Sequence, residues 1–217
     1  MLTVKTFPVN PLGENTYVVS DATGEALIID CGAFTPTEKK AIADYIAVYD
    51  LHPIAHVLTH THFDHCLGAA FIHERYGLPP RFHEADSRLY RMLPQQMDVL
   101  MGGQLTCTIV PPGEPLSDNS TLTLGTDTFK VIPCPGHTPG GICLYCEEAH
   151  LLFSGDSLFQ LSIGRTDLPG GDHWQLIRSL NRLVRSLPDA TTIYPGHGVR
   201  TSAAIERQHN PYLDCGL

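Results

Sequence analysis

Three histidines and one aspartate stand between positions 60 and 65, in Thr59-His60-Thr61-His62-Phe63-Asp64-His65. Imidazole nitrogen and carboxylate oxygen together suit zinc, iron or manganese. Four ligand-type side chains in so short a stretch crowd around two ions better than around one. The bland alternative is an accidental histidine-rich turn. With 12 His in 217 residues, one close pair would carry no message. A complete HxHxDH string after an apolar strand is a different matter, because each side chain then has a ligand role at a fixed spacing.

The elements around the string must position it. Residues 54–58 are largely apolar and read as a buried strand, and residues 66–76 read as a helix with Ala69, Ala70, Ile72 and Tyr76 on one face, stopping at Gly77. A strand end followed by a helix start is where α/β folds place ligand sites. Upstream, residues 2–9 and 15–20 form a hairpin across a turn-rich Asn10-Pro11-Leu12-Gly13-Glu14 link. Residues 25–30 form a strand, and residues 36–49 a helix capped by Thr35. Downstream, residues 81–83 read as a short strand and 84–93 as a helix. Residues 94–106, with Met97 and Met101, read as an apolar loop suited to a substrate wall, a dimer contact or simple packing. Strands resume at 121–124, 129–133, 141–146 and 151–153. A helix over 174–187, a strand over 191–194 and a helix over 201–209 complete the order. Strands followed by helices occur twice, which places the chain in the α/β class.

Three later segments carry the same kinds of side chain: Pro135-Gly136-His137-Thr138-Pro139-Gly140, Ser154-Gly155-Asp156-Ser157-Leu158-Phe159 and Pro195-Gly196-His197-Gly198. With HxHxDH they match, in order, the motifs of the metallo-β-lactamase superfamily, which this chain resembles across most of its length. The resemblance implies a four-layer αββα sandwich of two similar halves. It also implies a two-metal site. His60, His62 and His137 would hold one ion, Asp64, His65 and His197 the other, and Asp156 would bridge them. Asp30-Cys31-Gly32 resembles a segment whose aspartate supports the site without ligating; a plain turn carboxylate is the competing reading. His52, His56, His73, His83, His150, His173 and His209 lie outside the motifs and read as core or surface histidines.

The residue at 156 narrows the branch. True lactamases of the superfamily commonly have Cys near that place, whereas Asp resembles the thioesterase and dioxygenase branches. Ile163-Gly164-Arg165-Thr166-Asp167 resembles a segment of single-domain bacterial glyoxalase II-like (hydroxyacylglutathione hydrolase-like) proteins. The implied activity is thioester hydrolysis, on S-D-lactoylglutathione or a related acyl-thioester, by a hydroxide bridging two divalent ions. Zinc is the first choice of metal, with iron or manganese as alternatives. Asp64 and Asp156 are the catalytic carboxylates in that reading. A thiolate leaving group, with a pKa of about 8.5, needs no strong general acid. Arg165 has two readings: a contact to an anionic substrate, or an internal pair with Asp167.

Typical glyoxalase II carries an added C-terminal helical domain with glutathione contacts. This sequence ends 20 residues after His197, so the hydrolytic core transfers and glutathione recognition does not. The alternative activity is a mononuclear iron persulfide dioxygenase. A phosphodiesterase or nuclease, and a non-catalytic metal module, are weaker readings.

Size and composition agree. One compact domain over residues 1–217 is the simplest account. A net charge of −9 is a poor match to nucleic-acid phosphates. No apolar run approaches the length of a membrane span, and the first residues do not form a signal peptide. Seven scattered cysteines favour reduced thiols and a cytoplasmic location over a disulfide framework. Cys143 and Cys146 are a formal CxxC, but in a strand residues three apart face opposite sides, so they read as strand residues.

Overall fold

The structure, a computed structural model, describes residues 1–102 and 108–213. By its internal contacts the chain divides into two compact units, Met1–Leu116 and Ser117–Leu217.

In the first unit, β1 (Thr3–Val9) and β2 (Glu14–Ser20) form the expected antiparallel hairpin, and β3 (Glu25–Ile29) joins it. Every residue of β2 is buried, the pattern of a strand covered on both faces. α1 (Pro36–Val48) then crosses over to β4 (His52–Val57), which pairs parallel with β3. α1 begins where the sequence demands: Thr35 and Glu38 close a capping box, with Pro36 in the first turn.

The expected helix over 66–76 is two pieces, α2 (Phe63–Cys66) and α3 (Ala69–Tyr76). The break falls at Gly68, whose N–H donates to the Cys31 carbonyl at 2.8 Å and where a Cβ would collide with the Cys31 sulfur. β5 (Pro80–Arg81) closes the sheet in the order β1-β2-β3-β4-β5. The helix expected over 84–93 is also divided, into a 3-10 turn (Glu84–Asp86) and α4 (Ser87–Arg91).

Residues 94–106 depart furthest from expectation. In place of a loop, the chain forms α5 (Leu93–Met101). Pro94 sits in the first turn, where no N–H is needed. Met97 is wholly buried in a cluster with Leu58, Phe63, Phe82, Tyr90 and Leu93. Methionine here fills the core of this unit. Residues 103–107 of that segment lie outside the described residues.

In the second unit, β6 (Thr121–Leu124), β7 (Asp127–Pro133), β8 (Ile142–Cys146) and β9 (Leu151–Gly155) run as an antiparallel meander. A short hairpin that the sequence reading missed, β10 (Leu158–Phe159) with β11 (Ser162–Ile163), follows. α6 (His173–Ser186) leads into β12 (Thr192–Pro195), β13 (Thr201–Ser202) and α7 (Ala203–His209). The sheet order is β13-β12-β9-β8-β7-β6. Leu176, Leu180, Leu183 and Val184 of α6 pack with Cys143, Leu152 and Ile193 of the sheet. Cys143 belongs to this core, while the Cys146 sulfur lies beside Asp127 and Glu148. Both are free thiols, as are Cys31, Cys66 and Cys134. Among the described residues no helix is long and apolar enough to cross a membrane.

Candidate metal centre

The HxHxDH string leaves β4 and turns through α2, and its side chains are buried. His60, His62, Asp64 and His65 are each less than a tenth exposed. The ligand atoms of His60 lie within 4.8 Å of those of His62 and of His65, and those of Asp64 lie equally close to those of His65. A four-residue helix cannot sustain itself, so other elements hold the string in place. Asp86 accepts from the Thr61 N–H at 3.1 Å. Gln96 accepts from the Phe63 N–H at 3.0 Å and donates to the Thr61 carbonyl at 3.3 Å. Asn10 donates to the Asp64 carbonyl at 3.0 Å, and Cys31 N–H to the His65 carbonyl at 2.9 Å.

Asp30 is more than a turn carboxylate. It is buried at the end of β3 with φ +55°, a conformation that Asp tolerates. Its Oδ1 accepts from Thr59 N–H at 2.7 Å. Its Oδ2 accepts from the Thr59 hydroxyl at 2.8 Å and lies 3.0 Å from His65 Nδ1. The carboxylate therefore fixes the His65 proton on Nδ1 and leaves Nε2 as the acceptor nitrogen. The Thr59 hydroxyl, having donated to Asp30, has a lone pair for His60 Nδ1 at 3.2 Å. That sets the same tautomer in His60. Glu14 lies behind His65, with Oε1 3.9 Å from Nδ1. Burial pushes its carboxyl well above the usual range, against the opposing pull of His65.

In the second unit, His137, Asp156 and His197 come together. Asp156 Oδ2 lies 3.7 Å from His137 Nε2 and 3.6 Å from His197 Nε2. His137 Nδ1 is 2.7 Å from the Arg165 carbonyl. A carbonyl only accepts, so Nδ1 carries the proton and Nε2 turns a lone pair toward a carboxylate oxygen. Gly164 permits this approach: a Cβ there would collide with the Asp156 carbonyl and stand 3.0 Å from His137 Nδ1. The GRTD segment thus serves the site through its main chain. The Arg165 side chain is exposed and donates to both Asp167 oxygens at 2.8 Å, the internal pairing that the sequence allowed.

The donor set fits a cation. Three ring tautomers are set so that Nε2 is an acceptor, and one of these acceptors faces a carboxylate at a separation too long for a hydrogen bond and suited to a shared ion. Sequence reasoning named seven ligand-type residues, of which His60, His62, Asp64 and His65 lie together in the first unit and His137, Asp156 and His197 in the second. It missed Asn10, Glu14, Asp86 and Gln96, whose partners lie 18 to 54 residues away and leave no spacing to read.

A model of the metallo-beta-lactamase superfamily matches residues 9–197. The chain belongs to the metallo-β-lactamase superfamily. It is 32% identical over 214 residues to the hydroxyacylglutathione hydrolase GloC of Haemophilus influenzae, covering 98% of this chain and 99% of the relative. The crystal structure of the BLEG-1 B3 metallo-beta-lactamase superposes with a TM-score of 0.87 at 35% identity, covering 98% of this chain and 100% of that one. The structure of TTHA1623 in a di-iron-bound form gives 0.84 at 37% identity, covering 97% and 100%. The two-sheet, mixed α/β architecture is that of the metallo-β-lactamase sandwich, and the chain is a metallo-hydrolase of this superfamily.

Proposed function

We propose that the protein is a two-metal thioesterase of the glyoxalase II-like type, cleaving S-D-lactoylglutathione or a related acyl-thioester. The observation that carries the reading is the carboxylate of Asp156, which presents one oxygen to both His137 and His197. An oxygen ligand facing two imidazoles suits a bridging role between paired ions. The GloC relative supports the substrate class. Its match runs over 99% of its own length.

In this reading His60, His62 and His137 would hold one divalent ion, Asp64, His65 and His197 would hold the other, and Asp156 would serve both. Zinc is the metal we assign first. TTHA1623, described in a di-iron-bound form, makes iron the competitor and supports a pair of ions over one. When bound, the ions supply Lewis acidity and a water of lowered pKa. The chain's own residues supply the positioning. Asp30 holds the His65 proton on Nδ1, Thr59 does the same for His60, and the Arg165 carbonyl does so for His137. Asp64 and Asp156 supply the negative charge of the centre. The substrate is a small-molecule thioester, whose thiolate departs without a general acid.

The BLEG-1 structure, called a B3 metallo-beta-lactamase, gives a second reading, opening of a β-lactam amide. One panel separates the two: metal-loaded protein with S-D-lactoylglutathione, a simple acyl-thioester, a chromogenic β-lactam, and glutathione persulfide under oxygen monitoring. The thioesterase reading expects thiol release from the first two and at least 100-fold lower kcat/KM on the β-lactam. β-Lactam turnover without thioester cleavage, or oxygen uptake with the persulfide, would overturn it.

A further inference from the structure

The tip of the β1–β2 hairpin reaches the backbone of the metal-ligand helix. Asn10 sits there with φ +52°. Its Oδ1 accepts from Leu12 N–H at 2.9 Å, which fixes the amide's orientation. Its Nδ2 then donates twice, to the Gly32 carbonyl at 3.2 Å and to the Asp64 carbonyl at 3.0 Å. The main-chain N–H of Asn10 donates to Glu38 Oε1 at 2.8 Å, which ties the tip to the cap of α1.

Gly32 is compressed in this junction. A Cβ there would collide with Asn10 Nδ2, the Asp64 carbonyl and Glu14 Oε2. Glu14 completes the junction from β2, accepting from Gly32 N–H at 2.9 Å and from the Thr16 hydroxyl at 2.8 Å. Its other oxygen, Oε1, is wholly buried and has no hydrogen-bond partner among the described residues. Leaving a buried acceptor unmade costs on the order of 1–3 kcal/mol. The two bonds made by Oε2 offset part of that cost.

α2 has four residues, and both of its inner ligands have their carbonyls taken from outside: Asp64 by Asn10, His65 by Cys31. We infer that Asn10, through its bond to the Asp64 carbonyl, is a positioning residue for the Asp64–His65 half of the centre. The inference rests on the two-ion reading. It predicts that truncating Asn10 weakens metal binding.

The test is graded withdrawal of zinc from the metal-loaded protein by a competing chelator, with total zinc and free zinc both measured. Three proteins are compared: wild type, Asn10→Ala and Glu38→Ala. Glu38→Ala is the control for loosening the same hairpin tip and helix cap without removing the Asp64 contact, and thermal melts match the two variants for lost stability. Positioning shells typically contribute about 10–100-fold to metal affinity. The expected result is that Asn10→Ala loosens at least one zinc by that factor, while Glu38→Ala spares both. No weakening, or the same loss in Glu38→Ala, would overturn the inference while leaving the two-ion reading intact. A wild type that takes up only one equivalent would overturn both.

Discussion

The ring of His137 is held by the main chain of Arg165. Its Nδ1 lies 2.7 Å from the Arg165 carbonyl, so the proton stays on Nδ1 and Nε2 faces Asp156. The side chain of Arg165 takes no part in this and pairs at the surface with Asp167. Arg165→Ala is therefore expected to keep the full metal content and a kcat within about twofold of wild type, since an exposed ion pair contributes little to stability. Metal analysis and steady-state kinetics check this. Loss of metal in the variant would contradict it.

Gly164 is the position in the same segment that cannot change. An alanine there must displace the Asp156 carbonyl or the His137 ring. Overpacking of this kind costs about 1–3 kcal/mol. A ligand moved by an ångström costs roughly 100-fold in rate. Gly164→Ala should stay folded by circular dichroism while kcat/KM falls by about that factor. Unchanged kinetics would show that the close approach is not needed.

These two residues also mark what the sequence could and could not reveal. The four motifs were legible because each puts its ligand beside a glycine or at a strand end, and local spacing encodes that geometry. Most strands of both sheets and α1 followed from periodicity and from Thr35, whereas β13 lies where the sequence reads as the start of the last helix. α5 did not follow, because Met97 finds its partners in Leu58 and Phe82, far away in the sequence. The supports of the site were hidden for the same reason. Asn10 and Asp64 are 54 residues apart, Phe63 and Gln96 are 33 apart, and only the folded chain brings them together.

Asp30 sets the tautomer of His65, and its replacement by Asn should reverse it. Asn tolerates the positive φ and can still accept from Thr59 N–H. Its amide then presents a donor to His65 Nδ1, where the native pair is 3.0 Å apart, and drives the ring proton to Nε2. Zinc affinity is expected to fall about 10–100-fold. Chelator competition reads this directly, and a variant holding both equivalents like wild type would contradict it.

His56 makes a separate prediction about pH. It is wholly buried in β4, neither ring nitrogen has a hydrogen-bond partner among the described residues, and burial lowers its pKa to about 3. In the unfolded chain the value is about 6.5. Between these limits the unfolded state binds the extra proton, so this residue's contribution to stability falls as pH drops from 6.5 toward 3. His56→Leu removes the effect. Urea unfolding at pH 7 and pH 4 should show the variant gaining roughly 2–4 kcal/mol on wild type across that span. Parallel losses in the two proteins would contradict the assignment.

The proposed centre pairs two ions and cleaves thioesters. Its most direct test is release of free thiol from S-D-lactoylglutathione by protein carrying a measured two equivalents of metal. The predicted result is one thiol per acid formed, no oxygen consumed, loss of turnover on chelation and recovery when metal is restored. Protein with two equivalents that leaves the thioester intact would contradict the central claim.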